Sequence, residues 1–101
     1  MSTSPSQKSH HVPLPPPQQK ILTALGDRIH MARKRRKITI NDMASRANIS
    51  RQTVWKIEHG DSGVSIGAYL KVLNGLGMKT ELNKIIEDDP LGRLLQDERD
   101  R

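Results

Sequence analysis

The sequence predicts an all-α fold: a bundle of four to five short helices, followed by one C-terminal strand for dimerisation. Three observations predict it. Apolar residues recur at intervals of three and four across residues 20–76, as they do on the buried faces of helices. Ser, Thr, Asn and Gly stand where these segments begin and end. Beyond Gly77 the apolar residues alternate, as they do in a strand.

Composition limits the kind of protein this is. The 101 residues allow one small domain with tails, and with one Trp, one Tyr and no Phe its core must be aliphatic. The lack of cysteine excludes a disulfide framework and a zinc finger. No apolar run approaches the ~20 residues of a membrane span. We therefore expect a cytoplasmic protein that does not contact membranes.

The net charge of +6 is unevenly distributed. Residues 20–60 carry ten Lys and Arg against three acidic residues, a net charge of +7, whereas residues 61–101 carry −2. Five consecutive basic residues, 33–37, exceed what the end of a helix requires, although basic side chains are favourable there. The middle of the chain is thus predicted to face a polyanion, and the acidic end a different partner.

The chain divides into four predicted segments. Residues 1–19 are rich in Ser, Pro and Gln and predict a disordered arm, with a proline-rich ligand for a groove-binding domain as the alternative. Residues 20–78 form the helical domain, 79–87 the dimerisation strand, and 88–101 an acidic, amphipathic tail. The first helix is expected to bury Leu22, Leu25, Ile29 and Ala32.

A helix, a sharp turn and a second helix are predicted in the middle of the chain. Thr39 can cap a helix from Ile40 to Ala47, and Asn48 tolerates the positive φ that a tight turn needs. Ser50 can cap the next helix and Gly60 can end it. On that helix Val54 and Ile57 face inward, while Arg51, Gln52, Trp55 and Lys56 point elsewhere and can reach phosphates and base edges. This is the geometry of a DNA-binding helix-turn-helix.

Two further elements follow. Ser65 can cap a helix whose inward residues are predicted to be Ile66, Tyr69 or Leu70, Leu73 and Leu76. The alternation of Met78, Thr80 and Leu82 with polar residues predicts the strand, for which the same strand of a second copy is the economical partner. The strand residues expected at the dimer interface are Thr80, Leu82 and Ile85.

Residues 25–78 resemble the Cro/cI-type helix-turn-helix family, also called the XRE family. The matching motifs are Leu25-Gly26-Asp27-Arg28-Ile29, Arg33, Thr39, Met43-Ala44, Ile49-Ser50-Arg51, Val54, Ile57-Glu58-His59-Gly60 and Leu70 to Leu76. The resemblance implies a Cro/cI-type bundle and a structural ion pair between Arg33 and Glu58. Three positions depart from the family pattern. Ile40 replaces a common Gln, Asn48 replaces a common Gly, and Trp55 lies where a polar residue is usual. The alternatives for Trp55 are contact with a sugar-phosphate edge, contact with a thymine methyl, or burial against a partner protein.

The resemblance also implies which residues meet double-stranded operator DNA. Base contacts are expected from Arg51, Gln52, Thr53 and Lys56. Phosphate contacts are expected from Lys37, Thr39, Asn41, Arg46, Ser50 and Trp55. Nothing in the sequence predicts an enzyme, a metal site or a cofactor, since no nucleophile–base spacing and no phosphate-cradling glycine loop is present.

The C-terminal tail resembles that of HipB-type antitoxins. This implies a homodimer that represses its own operon and binds a HipA-like serine/threonine kinase toxin in the cytoplasm of a bacterial-type cell, in association with the nucleoid. The candidate toxin-binding residues are Asp89, Leu91, Leu94 and Leu95. Folding of this tail back onto its own domain remains an equal alternative. The alternative function is a stand-alone phage-type or restriction-control repressor without a toxin.

Overall fold

The computed structural model describes residues 12–78, 80–85 and 87–100. These residues form five α-helices, one short 3-10 helix and no strand, so the all-α prediction is confirmed for them. The helices are α1 (Pro16–Arg35), α2 (Ile40–Ala47), α3 (Arg51–Glu58), α4 (Ile66–Gly75) and α5 (Pro90–Arg99), with the 3-10 helix at Leu82–Lys84 between α4 and α5.

The predicted turn between α2 and α3 is confirmed at its caps. The Thr39 hydroxyl accepts a hydrogen bond from the Asp42 amide at 3.0 Å, which caps α2. The Ser50 hydroxyl accepts from the Thr53 amide at 3.0 Å and caps α3 in the same way. Asn48 adopts the left-handed conformation with φ 55° and ψ 49°, which reverses the chain between the two helices. Local hydrogen bonds and the backbone conformation of Asn48 therefore determine the α2–turn–α3 unit.

The core lies where α1 packs against α3 and where α2 packs against both α3 and α4. Met43, Val54, Ile57 and Val72 are its largest fully buried side chains. Helices α1 and α3 approach each other closely at Gly26, where a methyl group would lie 2.7 Å from the carbonyl oxygens of both Ile57 and Glu58. These contacts hold α3 by its inner face and leave its outer face free of the core.

The inward face of α4 differs from the prediction at two positions. Tyr69 is buried at 7% exposure and Val72 is fully buried, whereas Ile66 is 72% exposed and Leu70 is 44% exposed. Tyr69 is thus the correct one of the two alternatives, Tyr69 or Leu70. The prediction for Ile66 was wrong, and Val72 was not predicted to face inward. Ile66 shares the apolar spacing of the buried residues, but it begins the helix, where no other part of the described chain covers it.

The prediction of a C-terminal strand at 79–87 is wrong for those of its residues that the structure describes, 80–85 and 87. Thr80 and Ile85 lie in turns, and Leu82 begins the 3-10 helix. Successive amides bond to carbonyls three residues earlier, for example Glu81 to Met78 at 3.1 Å, so the backbone is satisfied locally and not by a partner strand. The physical reason is that Met78 and Leu82, four residues apart, both pack on the core. Helical spacing, not alternation, therefore governs this segment.

The N-terminal boundary also lies earlier than predicted. Helix α1 begins at Pro16, where proline suits the first turn because the amide it lacks would be unpaired there. Gln19 Nε2 donates to the Gly60 carbonyl at 2.9 Å, and the Ser62 hydroxyl donates to the Val12 carbonyl. Residues 12–19 of the predicted arm are thus joined to the domain, while residues 1–11 lie outside the described residues.

Candidate nucleic-acid interface

The N-termini of α2 and α3 meet on one side of the molecule. Arg51, the first residue of α3, donates from Nη1 to Asn41 Oδ1 near the start of α2, at 3.4 Å. Unpaired amides and the helix dipole make such N-termini favourable for anions. Both helices therefore present anion-attracting ends, with a guanidinium between them, to the same side.

The outer face of α3 is polar and basic. Arg51 and Gln52 are exposed and Lys56 is half-buried, whereas Val54 and Ile57 on the opposite face are fully buried. Thr53, predicted to contact a base, is half-buried because it takes part in the helix cap: its hydroxyl lies 2.8 Å from that of Ser50. The helix thus exposes amide and cationic groups suited to base edges and phosphates.

A shallow groove between α2 and α3 joins the predicted base and phosphate contacts. It brings the α2 N-terminus beside the first two turns of α3. Its lining residues are Ile40, Asn41, Ser50, Arg51, Gln52 and Trp55. Five of these six were predicted to contact DNA, and Ile40 was the one noted as a departure from the family pattern.

The remaining phosphate candidates flank this groove along the chain. Lys37 and Arg46 are exposed, and Lys37 adopts a positive φ of 55° in the turn before α2. The Thr39 hydroxyl is exposed and accepts from Asp42 in the cap, which leaves its own hydrogen available to donate to a phosphate. All of these groups are thus accessible to a polyanion.

The Arg33–Glu58 ion pair implied by the resemblance is present in the interior. Arg33 Nε donates to Glu58 Oε2 at 2.6 Å and Nη2 donates to Oε1 at 3.1 Å, a bidentate pair. Arg33 Nη1 also donates to the Ile38 carbonyl at 2.8 Å. Because Arg33 is only 6% exposed, it is the one member of the basic run 33–37 that is unavailable to DNA.

His30 is a third member of this cluster, and sequence reasoning missed it. Its Nδ1 lies 2.7 Å from Glu58 Oε1, and the histidine side chain remains 45% exposed. Burial raises the pKa of Glu58, but the hydrogen bonds and positive charges of Arg33 and His30 outweigh that effect and hold it below its ordinary value. The spacing of His30 and Arg33, three residues apart on α1, was the available signal.

Trp55 and His59 form a second feature that the sequence analysis did not anticipate. Their rings stack with centroids 3.7 Å apart and an interplanar angle of 16°. His59 Nδ1 also lies 2.7 Å from the Trp55 carbonyl oxygen. Their separation of four residues on one helix was the signal that could have predicted the contact.

The candidate toxin-binding residues lie on or beside helix α5, and not on α2 or α3. Leu91, Leu94 and Leu95 share helix α5 and are 55–66% exposed, and α5 packs extensively on no other helix of the described residues. Asp89, predicted to bind a toxin, caps α5 by accepting from the Gly92 amide at 3.0 Å. The structure therefore gives Asp89 a local role and leaves the three leucines uncovered by the described chain.

The described residues hold no cluster of three or more His, Cys, Asp or Glu arranged for a metal ion. None of their helices is both long and apolar enough to cross a membrane.

The family model described as "Helix-turn-helix domain" matches residues 24–83, which include most of α1 and all of α2, α3 and α4. Neither the curated proteins nor the solved structures gave a match to this chain.

Proposed function

The chain belongs to the helix-turn-helix domain family, which makes it a DNA-binding regulator, and we propose that it is the antitoxin and autorepressor of an operon encoding a HipA-like serine/threonine kinase toxin. In this proposal the protein acts in the bacterial cytoplasm by binding, not by catalysis. The DNA-binding part of this proposal rests on the outer face of α3, which exposes Arg51 and Gln52 beside the N-terminus of α2.

In the proposed complex α3 lies in the major groove and α2 crosses the DNA backbone. Arg51 pairs bidentately with guanine O6 and N7, and Gln52 with adenine N6 and N7, each pair discriminating by about 1–3 kcal/mol. Lys56 and Thr53 complete the base-facing set. Lys37, Thr39, Asn41, Arg46 and Ser50 contact phosphates, which position the protein without reading sequence.

Two copies bind one operator in this proposal. Recognition helices of a symmetric dimer enter the major groove about 34 Å apart, so the operator is palindromic. The exposed apolar side chains outside the α3 face support association with another protein surface, because such groups are more stable when removed from water. They include Ile66, Leu70, Ile85, Leu91, Leu94 and Leu95.

Helix α5 is the proposed toxin-binding element. Its three exposed leucines form one apolar stripe, and a stripe of this spacing is typical of helices that lie in the groove of a partner. Residues 88–101 carry five acidic and three basic side chains, which contrasts with the basic excess of residues 20–60. Separate surfaces of this kind allow one protein to hold DNA and a second protein together.

Selection of binding sites from random duplexes tests the DNA-binding proposal. We expect the wild-type protein to enrich a palindrome, and Arg51→Ala to lose the preference at one base position in each half-site while keeping the others. Arg99→Ala on α5 is the matched control and should select the same sequence as wild type. If Arg51→Ala weakens binding to all sequences equally, Arg51 contacts only a phosphate.

Deletion of residues 88–101 tests the antitoxin proposal. We expect the shortened protein to keep its DNA affinity and to lose co-purification with the kinase encoded beside it. Gln96→Ala, a substitution within α5, is the control and should keep both the DNA affinity and the co-purification with the kinase. If the full-length chain captures no kinase, the alternative holds, a stand-alone phage-type or restriction-control repressor.

A further inference from the structure

Trp55 is held in a fixed orientation although it lies on the surface. Its side chain is 52% exposed, yet one face of its ring is covered by the parallel ring of His59 at 3.7 Å. The Trp55 carbonyl can only accept, so the hydrogen bond at 2.7 Å requires His59 Nδ1 to carry the proton. The stack and this bond together restrain both rings before any ligand binds.

The position of this ring places it at the candidate DNA interface. Trp55 lines the groove together with Ile40, Arg51 and Gln52, and its second face is not covered by His59. Ile40 and Trp55 are thus the two apolar side chains of a groove whose other lining residues are polar or cationic. The major-groove edges of the base pairs present one apolar group, the C5-methyl of thymine.

We propose that Trp55, held by His59 and adjoined by Ile40, forms an apolar slot that selects a thymine methyl beside the base pairs read by Arg51 and Gln52. The inference rests on the proposed DNA-binding function and adds to it a base preference made without hydrogen bonds. His59 acts as a positioning residue in this arrangement, because it restrains the ring that makes the contact.

Replacement of thymine by deoxyuridine tests the proposal, because it removes only the methyl group. The probe is the duplex that the wild-type protein enriches, with one thymine changed at a time. We expect wild-type affinity to fall about fourfold at one thymine position in each half-site, as for the burial of one methyl-sized group. Changes at the other thymines should leave the affinity unaltered.

Substitutions of Trp55 and His59 test whether their stacked rings cause the preference for thymine over deoxyuridine. For Trp55→Ala the ratio of thymine to deoxyuridine affinity should fall from about fourfold to about one at the same position. His59→Ala should give an intermediate ratio, because it frees the ring without removing it. Gln52→Ala is the matched control: it binds more weakly but keeps the fourfold ratio. Circular dichroism checks that each variant is folded, which the exposure of Trp55 favours.

Fluorescence provides a second readout, since Trp55 is the only tryptophan of the chain. We expect its emission to be quenched on binding the thymine duplex and less so on the deoxyuridine duplex. The proposal is overturned if deoxyuridine is tolerated at every position while Trp55→Ala weakens all sequences equally, which would indicate a sugar-phosphate contact. Failure of the DNA-binding proposal is distinct, because the wild-type protein would then enrich no sequence.

Discussion

At the scale of single residues, the Arg33–Glu58 pair ties the end of the recognition helix to α1. Both side chains are nearly buried, and together they form two direct hydrogen bonds. Removal of one member of a buried pair leaves the other charge without compensation, which costs more than the loss of an exposed pair. The pair thus stabilises the orientation in which α3 presents its outer face.

Substitution Glu58→Gln should therefore lower the free energy of unfolding by about 3 kcal/mol at pH 7, because the Arg33 charge remains buried. Urea denaturation measures the difference. Asp27→Asn, which removes an exposed carboxylate from α1, is the control and should change stability by less than about 0.5 kcal/mol. An equal effect of the two substitutions would contradict a structural role for the pair.

The same pair predicts a pH dependence. The pKa of Glu58 in the folded protein is held below its ordinary value of 4.5. Its contribution to the free energy of unfolding is therefore fully present above pH 4.5. That contribution is lost as the pH falls from 4.5 through the lower folded pKa. The stability difference between wild type and Glu58→Gln should thus narrow below pH 4.5. A difference that stays constant on acidification would show that ionised Glu58 is not its source.

At the scale of elements, the contact between α1 and α3 depends on a glycine. A side chain at position 26 would meet the backbone of α3, which cannot move aside as a flexible side chain can. Helix α2 fixes the other flank of α3 through the turn at Asn48. The orientation of α3 is thus set by close backbone packing as well as by the ion pair.

We expect Gly26→Ala to destabilise the domain by about 1–3 kcal/mol, because the added methyl forces α1 and α3 apart. Gly67→Ala on α4 is a matched control, since the nearest atom to its added methyl is Ser65 Oγ at 3.8 Å. That substitution should stabilise by about 0.4–1 kcal/mol through the lower entropy of the unfolded chain. Thermal denaturation of both variants shows whether each substitution raises or lowers the stability. A Gly26→Ala protein more stable than wild type would contradict the packing argument.

At the scale of the whole molecule, charge divides the chain into two parts. The basic excess lies in residues 20–60 and the acidic excess in residues 61–101. Within the basic part, burial of Arg33 leaves the other cations of the run 33–37 exposed. Release of counterions by such residues makes DNA affinity depend on salt.

The logarithm of the association constant for DNA should therefore fall linearly with the logarithm of salt concentration. Lys37→Ala should reduce the magnitude of that slope by about 0.9 per bound copy, because one phosphate contact is removed. Lys84→Ala, at the end of the 3-10 helix, should leave the slope unchanged. A salt titration with a fluorescent duplex measures the slopes, and equal slopes for wild type and Lys37→Ala would remove Lys37 from the phosphate contacts.

The helix-turn-helix unit could be predicted from the sequence, because the signals that specify it act over three or four residues. Thr39 and Ser50 satisfy amides of the turn that follows each of them, and Asn48 tolerates the left-handed conformation. Val54 and Ile57 mark the inner face of α3 by their spacing. Each of these effects depends on near neighbours in the chain, so the order of residues is sufficient to predict it.

Which apolar residues are covered, and which groups meet across elements, depends on tertiary packing. The alternation after Gly77 resembled a strand, but the packing of Met78 and Leu82 on the core set a 3-10 turn instead. Ile66 carries the spacing of a buried residue and remains exposed because no part of the described chain lies over it. His30 joins Glu58, 28 positions away in the chain, only because α1 and α3 pack together. Burial and long-range pairing depend on what lies opposite, which local spacing does not specify.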